Sequence, residues 1–434
     1  MLRAAMMRSL QGKQGAYLTC YALVLVRWVS VTVAQAKTLT TACKGRFRKM
    51  ADVLTIVERH IDEAVGHHHT VIGAIDQLAG GRPKRIITMR SDNPALVENP
   101  NVHCVLSTGR DYRKHPSQAF ENDLAALETV IGVPSVPVSI LFPTVQHNDI
   151  GLCVRFLDRH PGTARFALRI LIFQTIDALT DAERADLDRH VQSGAITIVT
   201  ETGSLAKLLN ARFGLKALNT LLLPCSINPE SPPQEAAVPR KTNHFRIGYL
   251  GGYRLEKGAE KIPAILQDLK VLLRDCDPAV TVEFVAQHRG GRSGRKRLRY
   301  EWEMRKSGWS LSRANRRINI ILLDKTLPPE QFIAALHAVD LLLVPYDLNA
   351  YAARGSGIII DGVLAGKPIV HTQGIRMSSF LGFGNAAAAV TTSDFAPKIM
   401  EVLHNFQDYQ AQTPKARDAA HKQIWNAADF LRNF

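Results

Sequence analysis

The sequence predicts an α/β protein built from two doubly wound domains that face a central cleft. Three observations predict it. Short apolar runs and helix-like segments alternate from residue 52 to residue 223. A stretch with four prolines in eleven residues, Pro229 to Pro239, then breaks the pattern. The alternation restarts at Phe245 and continues to His404. Alternating strands and helices give a parallel sheet covered on both faces. A proline-rich segment without apolar period is a linker.

In the first half, strands are expected at Asp52–Val57, Arg85–Met89, Pro137–Phe142, within Arg165–Thr175, at Ala195–Thr200 and at Asn219–Leu223. Each is short, apolar and bounded by turn residues. Helices are expected at Thr70–Leu78, Phe120–Ile131, Asn148–Arg159 and Gly203–Phe213. Thr180-Asp181-Ala182-Glu183 reads as a further helix start, with acids in the first turn. Asn148 or Asp149 is the expected cap of its helix. In the second half, strands are expected at Phe245–Leu250, Val280–Ala286, Ile318–Leu323 and Leu341–Val344. Helices are expected at Ala259–Leu273, Pro328–Ala338 and Phe395–His404 and near the C-terminus.

The resulting organisation is a basic leader (1–49), an N-terminal domain (50–228) and a linker (229–243). A C-terminal domain (244–410) follows, with an insertion at 289–317, and then a helix (411–434) able to reach back to the first domain. The 434 residues and the 46% apolar content suffice for two cores. The net charge of +15 is uneven. Residues 1–49 hold nine Lys/Arg and no acid, and residues 289–317 hold eleven against two acids. The remainder carries −3, so the basicity is local and does not mark a nucleic-acid-binding protein. The six cysteines have no Cys-x-x-Cys or Cys/His spacing, so no metal site is expected and a reducing compartment fits.

The leader imitates a signal peptide: Arg3, Arg8 and Lys13 precede an apolar run, Ala16 to Val26, and Ala34-Gln35-Ala36 follows. The run is too short to span a bilayer. The favoured reading starts the protein at Met50, with an export signal or membrane anchor as the competing ones.

Two stretches carry chemistry. Leu250-Gly251-Gly252-Tyr253-Arg254-Leu255-Glu256-Lys257-Gly258 closes an apolar strand with a glycine loop and two cations. Gly251 and Gly252 let backbone approach a ligand, Arg254 offers a bidentate fork to phosphate oxygens, and Lys257 a point charge. Arg354-Gly355-Ser356-Gly357 leads into a helix bearing Asp361 and then Ala365-Gly366-Lys367-Pro368-Ile369-Val370. A strand, a glycine loop and a helix N-terminus make an anion site, here with Arg354 beside it.

Taken together, the strand with Gly-Gly, the Glu-Lys-Gly, the Gly-Ser-Gly loop, the acid and the Ala-Gly-Lys-Pro-Ile-Val resemble the C-terminal domain of GT-B glycosyltransferases of family 4 (glycosyltransferase group 1). The resemblance runs from Phe245 to Val370 and extends more weakly over Met50 to Ser226. It implies the GT-B fold, two Rossmann-like domains around a cleft, with a nucleotide-sugar donor in the second. It implies that Lys257 contacts the donor diphosphate and Asp361 the ribose hydroxyls. The family's partner arginine falls on Gly252, and Arg254 stands two residues away as a substitute. The family's other glutamate, which holds the donor sugar, falls on Ala353.

The resemblance further implies transfer with retention, without a catalytic metal or other cofactor, from a UDP- or GDP-linked sugar to a saccharide or lipid-linked acceptor. Arg254, Lys257 and the Gly355–Gly357 amides would stabilise the leaving diphosphate. Histidines are the acceptor-side candidates: His67 and His68 in a loop after the first strand, with His68 preferred as a catalytic group, and His147 after a later strand. The segment Arg289 to Arg317 interleaves cations with Trp302 and Trp309, which suits peripheral contact with an anionic membrane. A cytoplasmic enzyme, peripheral at most to the inner face of the membrane, is expected. The alternatives are a non-catalytic sugar-nucleotide or polyanion binder and a nucleotide-sugar 2-epimerase on the same fold.

Overall fold

A computed structural model of the chain describes residues 53–61, 67–132, 136–218, 221–224, 243–252, 254–274, 280–287, 317–323 and 327–434. The leader (1–49), the basic insertion apart from Arg317, and the linker apart from Asn243 lie outside them.

Six strands form the first sheet: β1 (Leu54–Val57), β2 (Lys84–Met89), β3 (Val102–Leu106), β4 (Val138–Phe142), β5 (Ala164–Ile170) and β6 (Ile196–Thr200). Their order is β3-β2-β1-β4-β5-β6, and every pairing is parallel. Six more form the second: β7 (His244–Tyr249), β8 (Thr281–Gln287), β9 (Ile318–Leu323), β10 (Leu341–Val344), β11 (Ile369–Thr372) and β12 (Ala386–Ala389). Their order, β12-β11-β10-β7-β8-β9, is the same doubly wound order read from the other edge. The chain thus makes the two Rossmann-like domains of the GT-B fold. In such sheets the strand order reverses at a switch point, where ligands meet the strands' carboxyl ends. Here the switch points lie between β1 and β4 and between β7 and β10.

The strands at the centre of each sheet are short and buried on both faces, as parallel strands under helices must be. Leu341–Val344 and Leu54–Val57 are buried at every position. The helices of the first half are α1 (His67–Leu78), α2 (Pro94–Val97), α3 (Gly109–Lys114), α4 (Pro116–Ile131), α5 (His147–Arg159), α6 (Gln174–Asp177), α7 (Asp181–Gln192) and α8 (Gly203–Phe213). Those of the second are α9 (Ile262–Arg274), α10 (Pro329–Ala338), α11 (Leu348–Tyr351), α12 (Gly357–Leu364), α13 (Ser378–Leu381), α14 (Phe395–His404) and α15 (Phe406–Asn433).

Three local expectations are corrected. Gln146, not Asn148 or Asp149, caps α5, and Asp149 completes the capping box from the third helical position. His67 to His69 form the first turn of α1 rather than a loop. Residues 221–223 form no strand: Leu221 N–H bonds Thr200 O, but the Leu221 carbonyl is taken by the Arg169 side chain, 3.1 Å away.

α15 ties the two domains together. Its start lies on the second domain, where Gln410 Nε2 donates to Gly366 O at 3.0 Å. Its end lies on the first, where Arg432 Nε donates to Leu78 O at 3.1 Å and Ser139 Oγ to Phe434 O at 2.6 Å. Ala416, Ala420, Ile424, Ala427, Ala428 and Leu431 join one apolar core with Leu54 and Ile75 of the first domain and Leu342 and Ile359 of the second. Pro414 lies inside α15 and removes an N–H that a helix would use against Gln410 O. Thr413 Oγ1 donates to that carbonyl instead, at 2.9 Å.

Candidate functional site

On the second domain the loops after β7 and β10 meet at the switch point. Gly251 N–H donates to Gln287 Oε1 at the end of β8, at 2.9 Å. Lys257 closes a single 3₁₀ turn, Leu255–Lys257, and its Nζ donates to Gly251 O at 3.1 Å. The ammonium also lies 5.8 Å from the Tyr346 ring centroid. Gly258 adopts φ +71°, and a side chain there would strike the Pro345 carbonyl. That close approach is fixed by Asp347 N–H to Glu256 O, 3.0 Å, and Lys261 Nζ to Pro345 O, 3.2 Å. Arg254 stands at the rim, largely exposed, with its nearest acid Glu256 at 3.9 Å.

Tyr346 floors this site. It is 1% exposed, its ring is 4.2 Å from that of Tyr351, and Ser356 Oγ donates to its hydroxyl at 3.3 Å. Burial, then Tyr351, pushes its phenol up, so it stays neutral. Arg354 lies 5.3 Å over the Tyr351 ring. Gly355 and Ser356 approach the start of α12, whose first bonds run from Ile359 and Ile360 N–H to Ser356 O. The Gly357 and Ile358 amides precede those bonds and so point out of the helix N-terminus. Lys257, Arg354, the Gly251 turn and the α12 amides are therefore gathered at one switch point. Gly252 lies in the same turn, with φ +75°. Asp361 sits on the next turn of α12 and is 1% exposed, enclosed by the core.

On the first domain, β1 ends in Glu58-Arg59-His60. Glu58 is fully buried; its Oε1 lies 3.0 Å from His68 Nδ1, and among the described residues its Oε2 has no hydrogen-bond partner. His60 stacks obliquely on His68, ring centroids 5.2 Å apart, and its Nε2 is 3.2 Å from Gln146 Nε2. Behind them Arg59 is clamped by Asp123 and Asp149, each at 2.7 Å. Burial opposes its charge, but the two carboxylates outweigh it and hold the guanidinium pKa up. Tyr112 and Ser107 complete the shell of Asp123. His147 lies exposed on the first turn of α5. The His67 side chain lies outside the described residues.

A third group spans the domains. Arg169, fully buried in β5, donates to Leu221 O, Pro143 O and Glu201 Oε1. Glu201, just after β6, presses on Gly355 of the second domain, and Thr202 Oγ1 lies 3.5 Å from Ala353 O.

The sequence-derived list thus divides. Gly251, Gly252, Arg254, Lys257, Arg354, Gly355, Ser356 and Gly357 lie around one switch point, and His68 belongs to the other. His147 begins α5, the helix that follows β4. Sequence reasoning missed Glu58, Arg59, Arg169 and Glu201. Their signal was present: charged residues within or ending strands that are otherwise apolar, in a fold whose ligands sit at strand ends. Among the described residues, no group of three His, Cys, Asp or Glu converges to hold a metal ion, and no helix is long and apolar enough to cross a membrane.

No family model matches the chain, and no curated protein matches its sequence. Solved structures do match its fold. A trehalose-6-phosphate protein from E. coli, bound with UDP-2-fluoro glucose, superposes with TM-score 0.62 at 12% identity, covering 88% of this chain and 99% of that one. The N-terminal domain of Candida albicans trehalose-6-phosphate phosphatase gives 0.60 at 14%, covering 89% and 97%. Anabaena HepE, in complex with UDP and glucose, gives 0.57 at 13%, covering 88% and 97%. At these identities the likeness is one of fold.

Proposed function

We propose that the chain is a GT-B glycosyltransferase that moves a sugar from a nucleotide diphosphate sugar to a saccharide or lipid-linked acceptor. The observation that carries this is the convergence at the β7/β10 switch point: two glycine turns, Lys257, Arg354 and the α12 amides, with Arg254 at the rim. A diphosphate leaving group gains charge as the glycosidic bond breaks, and fixed cations and amides stabilise that charge without reorganising. Similarity of fold to proteins solved with UDP or a UDP-sugar supports the same reading.

In this reading the reaction retains configuration and needs no metal, because protein cations meet the diphosphate. A family 4 type of donor site is part of the proposal, with Asp361 on the ribose. The acceptor enters at the β1/β4 switch point, beside His68 and Glu58. The work is done in the cytoplasm, with segment 289–317 touching an anionic membrane when the acceptor is lipid-linked. A binder without transfer is the second reading, favoured by Ala353, which offers no side-chain hydrogen bond to a sugar.

A melting screen of UDP, GDP and their sugars tests the donor site. A ligand at a hundred times its Kd adds about 2.7 kcal/mol of stability. Lys257→Ala should weaken the bound nucleotide by about tenfold to a hundredfold, the worth of one charged hydrogen bond. A protein that no nucleotide stabilises, or a K257A variant that binds as tightly as the unsubstituted protein, refutes the assignment. A nucleotide-sugar that is bound but neither transferred nor hydrolysed favours the second reading.

A further inference from the structure

We infer that Glu201, contributed by the first domain, holds the donor's sugar hydroxyls; this rests on the donor-site reading above. Ala353 itself offers no side-chain acceptor at that end of the loop. Ala353 packs instead against the core of the first domain, and its carbonyl lies 3.5 Å from Thr202 Oγ1. One residue before Thr202, the Glu201 carboxylate enters the space that a side chain on Gly355 would need.

One contact holds that carboxylate directly, and a second holds the backbone that carries it. Arg169 is fully buried and donates to Oε1, while its other donors are held by Leu221 O and Pro143 O at 3.1 and 3.0 Å. Gln423 Nε2, on α15, donates to the Glu201 carbonyl at 3.0 Å. The remaining oxygen, Oε2, faces the Gly355 backbone. A Cβ built on Gly355 would overlap Oε2 and lie 3.1 Å from the Glu201 carboxyl carbon. Gly355 does not have a positive φ, so it is glycine for space and not for conformation.

A carboxylate pressed on a loop meant for a diphosphate would repel that ligand if it faced the phosphates. Beside a sugar the same carboxylate is favourable, because it accepts hydrogen bonds from hydroxyls, and charged acceptors make the stronger bonds. A buried arginine locking one oxygen leaves the other preorganised for that task. The acid comes from the opposite domain, so sugar recognition and closure of the cleft are one event.

Titration calorimetry with UDP against UDP-glucose, and GDP against GDP-mannose, tests this on the full chain. Glu201→Gln should weaken the nucleotide-sugar by about tenfold to a hundredfold and leave the bare nucleotide unchanged. Glu201→Asp, which keeps the charge but draws the carboxylate back by one methylene, should show the same split, and its melting temperature without ligand reports folding. Equal weakening of nucleotide and nucleotide-sugar, or no weakening of either, overturns the inference and leaves the donor site standing. An unsubstituted protein that binds neither nucleotide overturns the donor site itself, and the inference with it.

Discussion

Replacing Arg59 by methionine removes the charge on which the end of β1 is built. The guanidinium spans Asp123 and Asp149, 2.7 Å from each, and both acids are buried. Methionine keeps the apolar stem and volume but leaves two carboxylates without their cation. Breaking a buried pair by deleting one partner costs about 3–5 kcal/mol. Total stability is typically about 5–15 kcal/mol, so the loss is a large fraction of it. At roughly 2–4 °C per kcal/mol for a large domain, the melting temperature should drop by about 6–20 °C. Burial already raises the Asp149 pKa, and Arg59 is the strongest influence opposing it. Without Arg59 the folded-state pKa of Asp149 rises further above the unfolded value near 3.9. Its penalty is absent below the unfolded value, grows between that value and the folded one, and is constant above it. The gap between Arg59→Met and the unsubstituted protein should therefore narrow as pH falls from 7 toward 5. Urea unfolding followed by circular dichroism at several pH values measures it. A variant within about 1 kcal/mol at pH 7, or a gap that stays constant with pH, refutes the reasoning.

Two further outcomes concern the histidines. His68→Gln should lower sugar transfer by about 10²–10⁴-fold, the range of a general base, while UDP titrates as before; unchanged transfer, or equal loss of UDP binding, removes His68 from the acceptor side. His371, in β11 opposite Val344 of β10, is pushed below its ordinary pKa by burial, with its bond to Thr372 O partly opposing. Its folded-state preference is for the neutral ring, so its contribution is complete above about 6.5 and is lost as pH falls below that value. His371→Asn should flatten the slope of urea stability between about pH 6.5 and 5, and an unaltered slope counts against it.

The fold was legible because its signals were local. Leu341–Val344, Ile318–Leu323, Gly203–Phe213 and Phe395–His404 have the bounds expected from apolar runs, caps and breakers. β3 escaped notice because Val102–Leu106 interrupts its apolar pattern with His103 and Cys104. β12 is four alanines, weak strand formers that pair with β11 only because the sheet edge is there. The donor loops were legible through glycine and cation spacing within one domain. Glu58 with His68, and Arg169 with Glu201, were not. Each pair joins residues that only the sheet order brings together, and no spacing along the chain encodes that. Asp361 was legible as a helix acid, but its enclosure by α12's buried surroundings was not.

The bridging helix also has a consequence in time. Arg82 Nη1 donates its hydrogen bond to Leu431 O, 349 positions further along the chain. At synthesis rates of about 5–20 residues per second, that partner arrives on the order of 20–70 s later. During that interval the first sheet and α1 are complete in sequence, yet Val71, Ile75 and Leu78 lack the cover that α15 supplies. The early half of the molecule leaves the ribosome with an apolar stripe in water, and its burial waits on translation of the residues that follow Pro414.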